Sequence, residues 1–339
     1  MDILAGSDCE QVLLVRDRGS AATILVAVHD TRLGPAHGGI RRWPYPTPAT
    51  ALQDVVALAQ AMTWKCALAE VPAGGGKAVV VDHPGLDRAA AYRAVGRTVE
   101  QLGGRFFTGP DVGTTDADLR EVAQETEFVA VGTGPLDLAR ATAIGVCASL
   151  EALAERLELP MAGLRVAVQG LGAVGMPLCE RLHAAGAQLA VADVMPSRAA
   201  AAQAKFGATV VPAEQILQVP CDVFAPCALG SVLTAATAAL LPARGVCGAA
   251  NNVFADHHAA LVLHRRGVRV VPDFVANAGA LIVGANWHLT GRRVDAERLQ
   301  RIGQTAGELL DRAAAENVPP PVLALQMARE RVARGTPAI

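Results

Sequence analysis

Two lysines, Lys65 and Lys77, lie in a stretch that is otherwise almost free of charge, MTWKCALAEVPAGGGKAVVV. A buried amine that loses its proton can act as a base or a nucleophile, and a charged one can bind a small anion. The predicted glycine-rich turn before Lys77 resembles a phosphate-binding loop, but that motif needs glycine where Val71 stands and serine or threonine where Ala78 stands. A Schiff-base lysine, or two lysines that extend to solvent from an amphipathic segment, remain as alternatives.

A second chemical motif is a GxGxxG turn, which follows a short apolar strand and opens a helix, with its glycines at Gly170, Gly172 and Gly175. In this context the glycines allow a tight turn and a close approach of the backbone to a pyrophosphate. Asp193 ends the next predicted strand, where a carboxylate accepts hydrogen bonds from a ribose and repels a 2'-phosphate. The motif therefore predicts a dinucleotide site that prefers NAD, with some tolerance of NADP because Arg198 follows; the alternative is a purely structural glycine turn.

The composition excludes several other classes of protein. The chain has 339 residues, of which 52% are hydrophobic and 18% charged, and its formal net charge is -2. Such a balance argues against disorder and against a basic nucleic-acid surface. No leader or long apolar segment is evident, which favours the cytoplasm and no membrane partner. Seven scattered cysteines without a CxxC pair argue against a disulfide framework and against a zinc site, so we expect no metal.

Hydrophobic periodicity divides the chain into two α/β parts. Strand and helix patterns are mixed as far as about residue 130, and from residue 141 onward strands and helices alternate, as a doubly wound parallel sheet requires. We predict a substrate domain at 1–138, completed by C-terminal helices at 290–339, and a Rossmann-type dinucleotide-binding domain at 139–289. The first domain is expected to contain a mixed sheet.

Seven motifs occur in a fixed order along residues 10 to 290: GPAHGGIRRWP, AMTWKCALAEVPAGGGKAVV, FFTGPDVGTTDADL, QGLGAVG, FAPCALG, GAANNVFAD and PDFVANAG. In this order they resemble the Glu/Leu/Phe/Val dehydrogenase superfamily. The resemblance is to the branch that acts on leucine, phenylalanine and valine, phenylalanine first. It implies NAD-dependent, reversible oxidative deamination of an L-amino acid to a 2-oxo acid and ammonia.

The resemblance also implies roles for three charged residues. Lys65 matches the lysine that binds the substrate α-carboxylate. Lys77 matches the lysine that activates the hydrolytic water, for which burial and a second nearby lysine would lower its pKa. Asp111 matches the carboxylate that exchanges protons with the substrate amine, and its alternative interpretation is a turn aspartate or one at the start of a helix.

Further residues match positions that hold the substrate or the nicotinamide. Asn251 and Asn277 resemble polar anchors, although either suits a turn. Thr142 resembles a contact to the nicotinamide carboxamide, and a helix N-cap explains it almost equally well. Gly38 and Gly39 would let the backbone approach the substrate. The cofactor-binding set is predicted as Gly170, Gly172, Ala173, Val174, Gly175, Asp193, Thr142, Cys227 and Ala228.

The side-chain pocket is predicted from fewer residues. The positions that line it in the family fall near Leu281 and Gly284, and Pro110 is similar to the phenylalanine branch. Glycine at 284 leaves room for a bulky side chain, so phenylalanine is the first expectation, with tryptophan and leucine next. His37 departs from the family pattern without an interpretation, and its alternative is a partly exposed histidine without a catalytic role.

Two other functions remain open at this point. A biosynthetic specialist with the same fold could act on an unusual amino acid, and a silent NAD-binding regulatory module could retain the glycine-rich turn alone. The resemblance implies a homo-oligomer of unspecified size, in which the strand QVLLV could pair across subunits.

Overall fold

The computed structural model describes residues 8–131, 137–228 and 230–335. Leu229, in the predicted FAPCALG motif, lies outside them. The described chain forms two compact units, which are considered separately. The first contains residues 8–131, 284–292 and 328–335, and the second contains 137–283 and 293–327.

The first unit is built on a mixed five-stranded sheet. Its strands are β1 (Gln11–Asp17), β2 (Ala22–Asp30), β3 (Ala36–Trp43), β4 (Gly74–Val81) and β5 (Phe106–Pro110). They lie in the order β1-β2-β4-β3-β5, with β2 antiparallel to β1 and β4, and β3 parallel to β4 and β5. Its helices are α1 (Pro48–Leu68), α2 (Arg88–Glu100) and α3 (Asp116–Val122).

Helices cover both faces of this sheet. The strand residues Leu25, Ala27 and Val79 pack in one apolar cluster with Ala51, Val55 and Ala59 of α1. The intervening strand residues, such as Ile24 and Ala78, pack with α2 on the other face, as the period-two alternation of a strand requires. Helix α1 begins at a Thr47 N-cap followed by Pro48, a residue suited to the first helical turn. The last turn of α1 carries Lys65.

The prediction of a glycine-rich turn before Lys77 is wrong, because residues 74–76 belong to β4. Glycine is required at these positions because neighbouring elements pack closely against the strand, and not because the chain turns there. A Cβ on Gly75 would lie 2.2 Å from the backbone nitrogen of Thr63 on α1, and one on Gly76 would lie 2.6 Å from the Phe106 ring on β5. The strand therefore starts three residues earlier than the apolar run KAVVV indicates, and it carries Lys77 in its middle.

The second unit contains a parallel six-stranded sheet. Its strands are β6 (Arg165–Gln169), β7 (Gln188–Ala192), β8 (Thr209–Val210), β9 (Val223–Pro226), β10 (Gly245–Val246) and β11 (Arg269–Val270). Their order, β11-β10-β9-β6-β7-β8, is that of the doubly wound dinucleotide-binding fold. The helices are α4 (Leu138–Arg156), α5 (Gly175–Ala184), α6 (Pro196–Phe206), α7 (Ala235–Leu240), α8 (His257–Arg265) and α9 (Asp273–Ala276), with a 3-10 helix at Ala213–Gln218. The predicted two-domain α/β fold is confirmed.

Three helices follow in the C-terminal part: α10 (Gly279–Thr290), α11 (Ala296–Glu316) and α12 (Pro320–Arg334). The division into units differs here from the predicted one, because 293–327 belongs to the second unit and not to the first. Helix α11 packs along α4, where a Cβ on Gly303 would lie 2.6 Å from the carbonyl oxygen of Ala148. In the described part of the chain, no helix is long and apolar enough to cross a membrane.

Candidate active site

Lys77 and Asp111 form an ion pair in the first unit. The Nζ atom of Lys77 lies 2.8 Å from Oδ2 of Asp111. Lys77 is only 6% exposed, whereas 21% of the Asp111 side chain remains accessible. The two predicted residues are thus brought together from β4 and from the position directly after β5, and the carboxylate remains open to a ligand.

A chain of charges continues from this pair. Arg41 donates from Nε to the same Asp111 oxygen at 3.1 Å and from Nη1 to Asp54 at 3.1 Å. The hydroxyl of Tyr45 donates to the same Asp54 oxygen in a short hydrogen bond. Asp111 therefore faces two cations, and Asp54 compensates the second of them. We did not anticipate Arg41, Asp54 or Tyr45, because no motif connects β3, α1 and the loop between them.

The pKa shifts in this network follow from burial and from neighbouring charges. Burial lowers the pKa of Lys77, and the negative charge of Asp111 opposes this shift without cancelling it. Burial raises the pKa of Asp111, but Lys77 and Arg41 lower it further, so the carboxyl stays below its usual range. Arg41 is a cation that lowers the Lys77 pKa, and the sequence motifs did not indicate it.

Strand register explains why these groups meet. His37 is opposite Gly75 and Phe107, and Arg41 is opposite Val79. Alternate residues of a strand share one face of a sheet, and in-register partners on a parallel neighbour share it too. Hence the β3 residues His37, Gly39 and Arg41, and the β4 residue Lys77, lie on one face. A Cβ on Gly75 would meet α1, so α1 covers part of that same face.

The absence of a side chain at Gly39 leaves room for Asp111. A Cβ added at Gly39 would lie 2.4 Å from the carbonyl oxygen of Pro110 and 2.9 Å from Cβ of Asp111. At Gly38 it would lie 1.8 Å from the carbonyl oxygen of Gly76. The two glycines thus let β3 approach β5 and β4 closely, which complements their predicted role in substrate binding.

We expect Gly39→Ala to displace Asp111 and to lower thermal stability, because overpacking of a tightly packed site costs about 1–3 kcal/mol. The matched control is Gly109→Ala, since a Cβ there would meet only Ala130, at an ordinary 3.5 Å. Thermal unfolding of both variants measures the difference. A Gly39→Ala protein as stable as Gly109→Ala would contradict the packing argument.

Lys65 is half-buried near the C-terminal end of α1, two residues after Thr63, whose backbone approaches Gly75 of β4. Lys65 is therefore on the helix that covers the Lys77 face of the sheet.

Pro110 ends β5 directly before Asp111 and is exposed.

His37 is buried, and its Nε2 lies 3.0 Å from Nδ1 of His288 on α10. Burial lowers the pKa of His37 to about 3, helped by the charges of His288 and Lys77, and burial lowers that of His288 to about 4. Both rings are consequently neutral near pH 7. The interpretation of His37 as a partly exposed histidine is wrong. Gly284 is one turn before His288, and a Cβ there would meet no described atom within 4 Å; Leu281 precedes it on α10 and is half-buried.

In the second unit, the glycine-rich turn follows β6 and leads into α5. Gly170 has φ of +92°, and a Cβ there would lie 2.8 Å from the backbone nitrogen of Ala228. A Cβ on Gly175 would lie 1.9 Å from the carbonyl oxygen of Gly170, whereas one on Gly172 would meet nothing described within 4 Å. The first and third glycines thus close the turn, and the second leaves an open cradle that suits a pyrophosphate.

Asp193 holds this turn from the end of β7. Its Oδ2 accepts a hydrogen bond from the backbone nitrogen of Leu171 at 2.6 Å, and its Oδ1 accepts one from Met195 at 2.8 Å. Arg198 lies 3.8 Å from Oδ1. The carboxylate is therefore a structural member of the turn in addition to its predicted contact with a ribose. Ala173 and Val174 complete the segment between Gly172 and α5.

Four other predicted contacts are also in the second unit. Asn277 is buried and donates from Nδ2 to Oδ1 of Asn251 at 2.7 Å and to the carbonyl oxygen of Ala249 at 3.1 Å. Thr142 is inside α4 and donates to the carbonyl of Leu138, so its interpretation as an N-cap is wrong; the cap is Asp137. Cys227 follows β9, and burial raises its pKa to about 11, which keeps the thiol protonated.

Comparison with known proteins identifies the chain. Residues 11–128 match the family described as Glu/Leu/Phe/Val dehydrogenase, dimerisation domain, and residues 133–197 and 193–334 match the Glutamate/Leucine/Phenylalanine/Valine dehydrogenase family. The chain belongs to the Glu/Leu/Phe/Val dehydrogenase family. It is accordingly an amino-acid dehydrogenase, an oxidoreductase that acts on a CH–NH2 group.

Individual members of the Glu/Leu/Phe/Val dehydrogenase family align over most of the chain. A leucine dehydrogenase from Geobacillus stearothermophilus is 38% identical over 334 residues, which cover 96% of this chain and 91% of the relative. A phenylalanine dehydrogenase from Lysinibacillus sphaericus is 39% identical over 287 residues, 80% of this chain and 75% of the relative. The crystal structure of L-tryptophan dehydrogenase from Nostoc punctiforme has a TM-score of 0.89, with 37% identity and 97% coverage of both chains.

Proposed function

We propose that this protein catalyses the reversible, NAD-dependent oxidative deamination of a hydrophobic L-amino acid to its 2-oxo acid and ammonia. The observation that carries the proposal is the contact between a buried lysine and an accessible carboxylate, Lys77 and Asp111. An amine whose pKa is lowered by burial loses its proton more readily than an exposed lysine and can then accept one from water, and the carboxylate beside it can receive or return one.

The residues of the first unit divide the proton chemistry among them. Lys65, as a charged ammonium, binds the substrate α-carboxylate and orients the α-carbon. Asp111 takes a proton from the substrate amine, so that the nitrogen lone pair can form a C=N bond as the α-hydrogen leaves. Lys77 then removes a proton from the water that attacks this imine carbon. Asp111 returns a proton to nitrogen, and ammonia leaves as the C=O bond forms, with the hydroxyl proton passing to the departing ammonia to give ammonium.

The residues of the second unit fit a dinucleotide. The open cradle at Gly172 suits its pyrophosphate, and the neighbouring predicted set of Ala173, Val174, Cys227 and Ala228 surrounds the same turn. NAD, when bound, supplies the hydride acceptor that the deamination requires. Thr142, Asn251 and Asn277 are proposed to orient the nicotinamide and the substrate, and the hydrogen bond between the two asparagines fixes both amides.

We expect Asp193→Asn to shift cofactor preference toward NADP. The substitution removes the charge that repels a 2'-phosphate and leaves the Arg198 guanidinium free to bind it. The ratio of kcat/KM for NADP to that for NAD should rise about tenfold, in keeping with the typical value of one charge-assisted hydrogen bond. The matched control is Glu180→Gln, an exposed carboxylate on α5 that pairs with Arg140. An unchanged ratio would remove Asp193 from the recognition of the ribose.

For the substrate, we propose phenylalanine first, with tryptophan and leucine close behind. The open space at Gly284 favours a bulky side chain over a small one, and relatives of this chain are named as leucine, phenylalanine and tryptophan dehydrogenases. Pro110, beside Asp111 in the first unit, and Leu281, in the second unit, are also proposed as substrate-binding residues. Since one methylene changes discrimination by only about 1–3 kcal/mol, several amino acids should be accepted.

A homo-oligomer is part of the proposal. Strand β1 is at the edge of the sheet of the first unit, and Leu14 on it is 67% exposed. An edge strand offers unpaired backbone groups to a second copy. The family description of residues 11–128 as a dimerisation domain supports the same arrangement.

The test is NADH formation with each of the twenty L-amino acids, with product mass spectrometry for every active one. We expect kcat/KM to be highest for phenylalanine, tryptophan or leucine and at least about tenfold lower for valine, whose side chain lacks one or more methylene equivalents relative to each of them. Equal values for valine and phenylalanine would contradict the pocket assignment. NAD binding without turnover of any amino acid would contradict the proposed function.

A further inference from the structure

We propose that His37 and His288 form a neutral hydrogen-bonding wall of the substrate side-chain pocket, which selects amino acids with a polar group at the end of an aromatic side chain. This inference rests on the proposed function and refines the order of substrates given there, because within the aromatic amino acids it moves those with a polar group ahead of phenylalanine. The groups to be recognised are the phenol hydroxyl of tyrosine and the indole N–H of tryptophan.

The placement of the pair follows from the sheet. His37 is on the same face of β3 and β4 as Lys77, and it is opposite Gly75, two residues before that lysine. From standard strand spacings, the two Cα atoms are about 8 Å apart. That separation is comparable to the reach of an aromatic side chain whose α-carbon lies beside Lys77. Phe107, which pairs with His37 on β5, adds an apolar wall, with its ring 6.4 Å from that of His288.

Helix α10 brings the second histidine to the same space. Gly284 and His288 are four residues apart, so both are on one face of the helix. The position at Gly284 is open, and one turn later His288 meets His37 with ring centroids 5.2 Å apart. The space that a Cβ at Gly284 would occupy is therefore on the same side of α10 as His288.

The hydrogen-bonding capacity of the pair is incomplete. His37 Nδ1 and His288 Nε2 are buried and have no hydrogen-bond partner among the described residues. In two neutral rings joined by one hydrogen bond, one outer nitrogen carries a proton and the other a lone pair, and exchange of tautomers swaps them. The pair can thus donate to a ligand group or accept from it. An unsatisfied buried polar atom costs about 1–3 kcal/mol, which a matching substrate group would relieve and an apolar one would not.

The experiment compares matched substrates on the intact protein. Tyrosine is compared with 4-methylphenylalanine, and tryptophan with its benzothiophene analogue, in which sulfur replaces the indole N–H. We expect kcat/KM of the wild-type enzyme to favour the hydrogen-bonding member of at least one pair by about tenfold or more. The pair that discriminates identifies the group that is recognised.

Two variants assign this preference to the histidines. In His37→Leu and His288→Leu the ratio should fall to within about threefold of unity, and His288→Gln should retain part of it. Turnover of phenylalanine serves as the internal control for folding and for the dehydrogenase reaction.

Wild-type ratios near unity in both substrate pairs would overturn the inference, as would ratios that stay unchanged in both leucine variants. The wild-type comparison decides even if a variant does not fold. Phenylalanine or leucine turnover without discrimination would reject the histidine wall alone, whereas no turnover of any amino acid would reject the proposed function.

Discussion

Replacement of Lys77 by alanine is expected to lower kcat by about 10²–10⁴-fold, the range that positioned general acid–base groups supply. The physical reason is that Lys77 is the buried amine of the site and its pKa is lowered by that burial. Lys77→Arg should be no better, because a guanidinium stays protonated at every accessible pH. Steady-state kinetics over the accessible pH range measures the loss.

The matched control for this experiment is Lys205→Ala, at an exposed position on α6. Dissociation constants for NAD should be the same in all these variants, since Lys77 is in the first unit and the glycine-rich turn is in the second. A Lys77→Ala enzyme that retains kcat within about threefold of wild type would remove Lys77 from the proton transfers.

Asp111→Asn is expected to reduce kcat by a similar factor of about 10²–10⁴, because the amide cannot accept the proton of the substrate amine. The substitution also has a predicted effect on pH dependence. The negative charge of Asp111 raises the pKa of Lys77, so its removal should lower that pKa further. The rising limb of the deamination rate against pH, which we assign to the loss of the Lys77 proton as part of the proposal, should therefore move to lower pH in the residual activity.

Asp54→Asn provides the comparison for Asp111→Asn. This carboxylate is bonded to Arg41 and Tyr45 and has no direct contact with Lys77 among the described residues. It raises the Lys77 pKa less than Asp111 does. Its removal should move the limb in the same direction by a smaller amount and leave most of kcat intact. If the rising limb of the pH–rate profile of Asp111→Asn lay at the wild-type pH or higher, this would contradict the coupling between the charge of Asp111 and the pKa of Lys77.

The chemical part of the site could be predicted because lysine is rare here. The chain contains three lysines, Lys65, Lys77 and Lys205, among 30 lysine and arginine residues. Two of the three, Lys65 and Lys77, lie in one segment that is otherwise almost free of charge, which indicates groups that lose a proton or act as a compact charge. The GxGxxG turn could also be recognised from the sequence, since its strand, helix and acidic partner are all close in sequence.

Other features could not be predicted because they depend on long-range packing. The glycines before Lys77 are typical of a turn, and only the approach of α1 and β5 shows why a strand needs them. Similarly, threonine is a common N-cap residue, but the N-cap of α4 is Asp137, five residues before Thr142. His288 is 251 residues from His37, and neither residue alone indicates a pair.

The most direct measurement is the stoichiometry of one wild-type reaction with a hydrophobic amino acid. We expect NADH, ammonia and the 2-oxo acid to appear in equal amounts and oxygen from isotopically labelled water to enter the oxo group, since Lys77 is proposed to direct water to the imine carbon. NADH formed without ammonia, or ammonia released without NADH, would contradict oxidative deamination as the reaction of this site.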